Sequence, residues 1–352
     1  MPWVRNRAAL KEPTAQNRCC GFPLPAMDER NASIQLERKA GDFWMKPNWS
    51  GVFFVPPTQM RKDEKIDYEA TQGLVQELLD AGAHGIVMLG VYGEVIAMKA
   101  DEKRKVMAAA REVVQDRVPL LAGAIETNMD DLISYARDLE KMGVRGLMAT
   151  TLLGYPPRAH EGKAFIRRLS DSGGLPIMIY NEPHAWGLDF TPALLYELKD
   201  VKNLVAIKES SDDTRRITEI SRQCGDRYLM FCGQDDIAFE SLLLGADGWT
   251  CATGCVFPRE TILFHELLKA GRVKEALAIY RWMYPLLNLD RRSTFIQCGK
   301  LAGQMLGRGT ETVRMPLLQL EADERKEVVS IVERALASKP DLPTLATQQK
   351  RA

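Results

Sequence analysis

Residues 204–210 read LVAIKES, an apolar run that ends in a lysine. If this run is a β-strand, its side chains alternate between two faces, so Leu204, Ala206 and Lys208 share one face. Burial disfavours the charged form of a lysine and lowers its pKa, which leaves a neutral amine that can attack a ketone. Lys208 is therefore a candidate for Schiff-base formation. From these seven residues alone, the alternative is a strand-end lysine that reaches solvent.

This run is one of eight apolar strand-like segments, and an amphipathic helical segment follows each of them. Near-continuous apolar strands separated by helices indicate a parallel sheet that is buried on both faces. Eight such units close into a barrel, so we expect an α/β fold of the (β/α)8 TIM-barrel class with a C-terminal helical extension. The alternative is an open doubly wound sheet, although no GxGxxG motif opens the first helix. The predicted strands are Gly51–Val55, Gly85–Gly90, Val118–Ala124, Gly146–Thr151, Pro176–Tyr180, Leu204–Lys208, Tyr228–Cys232 and Gly248–Thr253.

The chain outside these units has a different character. Residues 1–48 show no sustained helical or strand period, and we expect a flexible N-terminal arm there, with a misassigned start as the alternative. The barrel is predicted at 49–271, the C-terminal helices at 272–338 and a tail at 339–352. The helices expected after the barrel are Val273–Leu287, Phe295–Leu306 and Ala322–Leu336.

Composition excludes several classes of function. The chain has 47 basic and 47 acidic residues, so no global charge attracts nucleic acid or an anionic membrane. No apolar run approaches the ~18 residues that indicate a membrane span. The seven cysteines form no CxxC pair, which is typical of reduced thiols in the cytoplasm. Cys251 and Cys255 lack nearby histidines that would complete a zinc set, so we expect neither a metal nor a cofactor.

The candidate chemistry lies where the predicted strands end, because active sites of these barrels occupy the C-terminal ends of the strands. The second strand ends in GVYGE at 90–94, the fifth in YNEP at 180–183 and the sixth in Lys208. Tyr180 and Lys208 lie on neighbouring strands, so their side chains can converge. A phenol can move protons for an amine that forms an imine. The alternative for Tyr180 is a core tyrosine with a hydrogen-bonded hydroxyl.

These strand ends resemble the dihydrodipicolinate synthase/N-acetylneuraminate lyase family of class I Schiff-base aldolases. The resemblance extends from about Gly51 to Leu336, and its markers are GxxGE at 90–94, YNxP at 180–183 and IKE at 207–209. It implies that Lys208 forms a Schiff base with a 2-oxo acid, usually pyruvate, and that Tyr180 is the catalytic tyrosine. It also implies that the loop of Val91, Tyr92 and Gly93 holds the substrate carboxylate, whereas Glu94 braces that loop.

The sequence departs from the family pattern at several positions. Val91 and Tyr92 replace the two hydroxyl residues of the family loop, and Leu-Leu at 152–153 replaces a Tyr-Tyr pair. Ala185 stands where synthases carry an arginine that grips a second carboxylate. Because Trp186 adds further apolar surface, we expect a hydrophobic aldehyde partner. The chain most resembles the hydratase-aldolases that cleave an arylidene-pyruvate to an aromatic aldehyde and pyruvate.

Further substrate contacts are expected from Tyr155, His184, Trp186 and Thr250. For His184 the alternative is a surface histidine. Two other functions stay open: a synthase, dehydratase or deaminase of the same family, and a non-catalytic barrel used for binding. The expected partners are a small-molecule 2-oxo acid and further copies of the chain, in a homotetramer or homodimer. We expect neither nucleic acid nor a membrane as a partner.

Overall fold

The computed structural model describes residues 46–151 and 155–344. Eight parallel strands form a closed barrel in the order β1 to β8, with each strand paired to its neighbours in sequence and β1 paired to β8. The predicted TIM-barrel class is confirmed. Of the predicted arm, residues 1–45 lie outside the described residues, and so do residues 345–352 of the predicted tail. The strands are β1 Gly51–Phe54, β2 Gly85–Met88, β3 Leu120–Ala124, β4 Gly146–Ala149, β5 Ile177–Asn181, β6 Leu204–Glu209, β7 Leu229–Cys232 and β8 Gly248–Cys251.

Helices connect the strands and continue beyond the last one. The three helices predicted after the barrel are present and form the C-terminal extension. In the part of the chain that the structure describes, no helix is long and apolar enough to cross a membrane. The helices are α1 Tyr68–Asp80, α2 Ala100–Val114, α3 Met129–Lys141, α4 Ala159–Asp171, α5 Pro183–Trp186, α6 Pro192–Glu197, α7 Arg215–Cys224, α8 Ala238–Leu243, α9 Pro258–Lys269, α10 Val273–Leu287, α11 Phe295–Met305 and α12 Ala322–Ala337.

Short polar side chains fix where several of these helices begin. The carboxylate of Asp67 accepts the Ala70 N–H at 2.9 Å, and the Asn128 side-chain oxygen accepts the Asp130 N–H at 2.8 Å. Each bond satisfies an N–H group that has no partner within its own helix, so the helix begins at the next residue. The strand that precedes each helix can then stop at a defined position.

Side chains from successive strands fill the barrel interior. Phe53 of β1 and Phe231 of β7 meet edge to face with ring centroids 5.0 Å apart, and Met178 of β5 belongs to the same interior cluster. The expected alternation along β6 fails at its beginning. The register between β5 and β6 shifts there, so Val205 packs in the interior cluster and Leu204 packs outside it. A bulge adds one residue to a strand, which reverses the face of every residue before it.

The segment after β2 is held in an unusual backbone conformation. Leu89 has a φ of +58°, and its carbonyl oxygen approaches Gly123 so closely that a Cβ there would lie 1.8 Å away. Only glycine at position 123 leaves room for this turn. Glu94, at the end of the turn, is also left-handed with a φ of +58°.

A fully buried ion pair ties this turn to the C-terminal extension. The Lys300 ammonium of α11 donates to the Glu94 carboxylate at 2.5 Å and to the Thr58 carbonyl at 3.0 Å. The second Glu94 oxygen accepts the Arg314 N–H at 2.8 Å. Burial lowers the pKa of Lys300, and the neighbouring Glu94 charge opposes that effect. Glu94 therefore braces the turn, as expected.

We predict that Lys300→Met lowers the free energy of unfolding by about 3 kcal/mol, because the Glu94 charge stays buried without its ammonium partner. Adding Glu94→Gln to Lys300→Met should restore part of the loss. Lys105→Met is the matched control, since Lys105 pairs with Asp101 in solvent and its loss should cost under about 1 kcal/mol. Urea unfolding of the four proteins measures the difference. Equal losses for the two lysine variants would contradict the prediction.

Candidate active site

A cavity of about 590 Å³ opens at the C-terminal ends of the strands. Its floor and walls come from strand ends, from the turn after β2, from α5 and from the segment that joins α10 to α11. Aromatic and charged side chains both face it. The lining residues are Val55, Val91, Tyr92, Tyr180, Glu182, His184, Ala185, Trp186, Lys208, Asp212, Gly233, Gln234, Ala252, Asp290, Arg291, Arg292, Ser293 and Phe295.

Lys208 and Tyr180 meet in this cavity. They are register partners on β6 and β5, and the Lys208 Nζ lies 3.8 Å from the centroid of the Tyr180 ring. Lys208 is only 7% exposed. Its burial lowers the pKa of the amine, and the charges of Asp290 and Glu182 oppose that effect. The neutral, nucleophilic form of the amine is therefore more accessible than in water.

A glycine beside Lys208 makes its extended position possible. A Cβ at Gly233, just after β7, would lie 2.8 Å from the Lys208 Cγ and 1.9 Å from the Ser210 hydroxyl oxygen. Contacts this short do not occur with carbon, so a larger residue would displace the lysine. The Lys208 side chain occupies the space that a side chain at position 233 would otherwise fill.

Aromatic rings form one side of the cavity. Tyr180 and Trp186 meet edge to face with centroids 6.0 Å apart, and Tyr92 stacks on Phe295 at 5.8 Å. Burial raises the pKa of the Tyr180 hydroxyl well above its ordinary value, so it stays neutral and can donate a hydrogen bond. The aromatic side that the sequence predicted is therefore present, with Phe295 of α11 as an additional member.

Ionisable side chains also line the cavity. Arg291 holds Asp212 through a bidentate ion pair, and the His184 Nε2 lies 3.5 Å from the same carboxylate. Glu182 is partly buried, and burial raises its pKa to about 7 although nearby Lys208 opposes this effect. The cavity thus carries acids whose protonation can change near neutral pH.

Three of the expected substrate contacts lie away from the cavity lining. The Thr250 hydroxyl donates to the Cys232 carbonyl at 3.0 Å, because Thr250 lies inside the barrel below the strand ends. The Gly93 carbonyl accepts the Thr58 hydroxyl at 2.8 Å, which turns that peptide away from the cavity. Tyr155 is 62% exposed and points to solvent. The Leu-Leu pair at 152–153 lies outside the described residues.

The structure adds cavity residues that the sequence analysis missed. Asp290, Arg291 and Arg292 come from the segment between α10 and α11, which follows the barrel by about twenty residues. The inference that the pocket lacks a guanidinium is wrong, because it rested on Ala185 alone. The signal available in the sequence was a charged run, DRRS at 290–293, between two apolar helices.

A second polar cluster lies at the opposite end of the barrel. His84, His265 and Glu266 place ligand atoms within 4.8 Å of one another. However, the Val52 N–H donates to the His84 Nδ1 at 3.1 Å, so the neutral ring carries its proton on Nε2. That nitrogen faces the Glu266 carboxylate at 3.3 Å. Hydrogen bonds therefore account for this arrangement.

This protein has a lysine buried at the end of β6, beside a tyrosine of β5. This arrangement is typical of Schiff-base lyases built on a TIM barrel. The model of the dihydrodipicolinate synthetase family matches residues 48–335, and the chain belongs to this family. It is an enzyme of the class I aldolase type, as the sequence indicated.

Individual relatives support the same family. A 4-hydroxy-tetrahydrodipicolinate synthase of Clostridium novyi is 28% identical over 290 residues, which cover 81% of this chain and 95% of that protein. The synthase of Clostridium perfringens is 29% identical over 264 residues, which cover 74% and 89%. The solved structure of a dihydrodipicolinate synthase of Bacillus anthracis matches with a TM-score of 0.77 at 25% identity, covering 83% of this chain and 99% of that one.

We predict that Glu182→Gln raises the melting temperature at pH 8 more than at pH 5. The carboxyl titrates near its ordinary value of 4.5 in the unfolded chain and at about 7 in the folded protein. Between these values the folded state holds a proton that the unfolded chain has released, so stability falls as pH rises. Glutamine removes this penalty. Calorimetry at both pH values measures it, and a shift that is equal at both would contradict the assigned pKa.

Proposed function

We propose that this enzyme forms a Schiff base between Lys208 and the ketone of pyruvate or a related 2-oxo acid. The supporting observation is the buried amine of Lys208, held over the Tyr180 ring in a cavity at the C-terminal ends of the strands. A protonated imine withdraws electrons, which allows a carbon–carbon or carbon–oxygen bond next to it to form or break.

The other roles follow from positions in the same cavity. Tyr180 moves protons to and from the reacting carbons, since its neutral hydroxyl is on the neighbouring strand. The carboxylate of the 2-oxo acid lies against Val91 and Tyr92, where a single helical turn begins and its first N–H groups have no partner within the turn. His184 and Trp186 contact the second substrate at the rim.

The second substrate is better supported as the type used by the synthases. The relatives compared above are named 4-hydroxy-tetrahydrodipicolinate synthases. Arg291 also supplies a guanidinium at the rim, which is the group needed to bind a second carboxylate. A small aldehyde that carries a carboxylate is therefore our first candidate acceptor.

The second candidate acceptor is an aromatic aldehyde, which is the partner expected for a hydratase-aldolase. The observation that favours it is the aromatic side of the cavity, formed by Tyr92, Tyr180, Trp186 and Phe295. Such a surface accommodates a ring without leaving polar groups unpaired. Both candidates use the same imine on Lys208, so they differ only in the group that reacts with it.

We predict that borohydride reduction in the presence of pyruvate traps an adduct on Lys208. Peptide mass spectrometry should find the added three-carbon unit on Lys208, and Lys208→Arg should form no adduct and show no turnover. Lys103→Arg is the matched control, because Lys103 is a buried lysine that pairs with Glu126 and is absent from the cavity lining. An adduct on a different lysine, or turnover in Lys208→Arg, would remove the basis of the proposed function.

A comparison of acceptors separates the two candidates. We predict that kcat/KM with aspartate semialdehyde exceeds that with benzaldehyde-type acceptors by at least about tenfold, or ~1.4 kcal/mol, if Arg291 binds the acceptor carboxylate. Arg291→Met should then abolish the preference, whereas Arg325→Met should not, because Arg325 pairs with Glu311 and does not line the cavity. A preference for the aromatic acceptor in the wild-type enzyme would restore the hydratase-aldolase interpretation.

A further inference from the structure

One carboxyl group faces Lys208 from outside the barrel strands. Asp290 lies in the single helical turn Asn288–Arg291 that follows α10, and it lines the same cavity as Lys208 and Tyr180. Among the charged groups around Lys208, Asp290 acts most strongly on its ammonium form. The turn therefore brings a carboxyl group to the place where the imine would form.

Several contacts hold this turn against the barrel. The Asn288 side chain donates to the Asp236 carboxylate at 3.2 Å, Leu289 is buried, and Arg291 pairs with Asp212. The Asp290 carboxylate accepts the Asp235 backbone N–H at 3.2 Å. Because both sides of the turn are fixed, the position of Asp290 relative to Lys208 is fixed as well.

The neighbouring carboxyl of Asp235 differs in its partners. It accepts the Trp249 indole N–H at 2.8 Å, the Thr253 N–H and hydroxyl at 2.6 Å each and the Ala252 N–H at 3.2 Å. In the part of the chain that the structure describes, Asp290 accepts one hydrogen bond from the protein. Four donors stabilise a carboxylate more than one does, so Asp290 holds a proton more readily than Asp235 does.

The surroundings support a protonated Asp290. Burial and the charge of Asp235 raise the pKa of Asp290 well above its ordinary value, and Lys208 opposes this effect. The other charged groups around the cavity belong to several elements: Asp236 after β7, Glu182 and His184 after β5, Asp212 after β6, and Arg291 of the same turn. Imine formation requires a neutral amine and a proton donor at the outset, and the two pKa shifts favour these forms of Lys208 and Asp290.

We propose that Asp290 is a catalytic acid of this enzyme, whose carboxyl group supplies the proton that releases water when Lys208 forms its imine. This inference rests on the proposed function of Lys208. The amine of Lys208 adds to the ketone carbon, and one of its protons passes to the ketone oxygen to give a carbinolamine. Asp290 then protonates that hydroxyl, the C–O bond breaks with its electron pair leaving as water, and the nitrogen lone pair forms the C=N bond.

The step balances in protons and charge. The amine contributes two hydrogens and the acid one, and the products are water, with two, and the iminium nitrogen, with one. Asp290 becomes a carboxylate at the moment when Lys208 becomes an iminium cation, so a neutral pair becomes an ion pair inside the cavity. The attraction between the Asp290 carboxylate and the iminium cation offsets part of the cost of holding two charges in the cavity.

Other acids of the cavity suit this role less well. Tyr180 is a weak acid, because burial raises the pKa of its hydroxyl well above the ordinary value. Asp212 is held as a carboxylate by Arg291, which lowers its pKa although burial opposes this. Glu182, whose pKa is about 7, is the strongest competitor, and its charge has a smaller effect on Lys208 than that of Asp290.

The test measures how fast the imine forms, using the full chain and pyruvate in single turnover with borohydride quenching. Asp290→Asn keeps an oxygen for the Asp235 N–H but has no proton to give. The rate should fall by about 10²–10⁴-fold, while the final amount of adduct stays close to that of the wild-type enzyme. Asp138→Asn is the matched control, because Asp138 pairs with Arg104 of α2 and does not line the cavity, and it should retain the wild-type rate.

A second variant guards against an effect on folding alone. In Asp290→Ala, added acetate buffer should restore part of the rate in proportion to its acid form, and chloride at equal ionic strength should not. An unchanged rate in Asp290→Asn, or no rescue by acetate in a folded Asp290→Ala, overturns the assignment of Asp290. Absence of any adduct in the wild-type enzyme instead overturns the proposed function of Lys208, so the two failures are distinguishable.

Discussion

The arrangement of the cavity depends on the burial of the Lys208 amine at the end of β6. Lys208 is positioned by an apolar strand, by the absence of a side chain at Gly233 and by the Tyr180 ring opposite. Burying an ammonium ion alone would be costly, so the site needs either a neutral amine or compensating carboxyl groups. It has the carboxyl groups of Asp290 and Glu182, whose charges favour the ammonium form of Lys208 and so oppose the effect of burial on its pKa.

Part of the cavity lining lies beyond the eighth β-α unit of the chain. The barrel supplies Lys208 and Tyr180, whereas Asp290 and Arg291 come from the helical extension. The buried pair of Glu94 and Lys300 ties that extension to the turn after β2. The same contact therefore joins the turn of Val91 and Tyr92 to the helix that follows Asp290. Loosening it should disturb catalysis as well as folding, since both sides of the cavity depend on it.

The sequence predicted the parts of this structure that local pattern determines. Apolar runs in the sequence identified all eight strands. Because the ends of parallel strands share one edge of the sheet, the sequence also predicted that Lys208 and Tyr180 lie close together, and they are register partners. The face of Leu204 was predicted incorrectly, because a bulge between β5 and β6 depends on pairing with another strand. Asp290 and Arg291 were missed, because a turn between two helices reaches the cavity through long-range packing that no local period encodes.

The lack of an arginine at position 185 is weak evidence that the cavity lacks a guanidinium. Ala185 removes a guanidinium from one wall, but Arg291 supplies one from an unrelated segment. Arg291 already forms a bidentate ion pair with Asp212, so a substrate carboxylate can bind Arg291 only by weakening that pair. An acceptor with a carboxylate must compete with Asp212 for Arg291, whereas an aromatic acceptor leaves this pair intact and packs on Trp186. We therefore expect the strength of this ion pair at the rim, rather than Lys208 and Tyr180, to determine the substrate class.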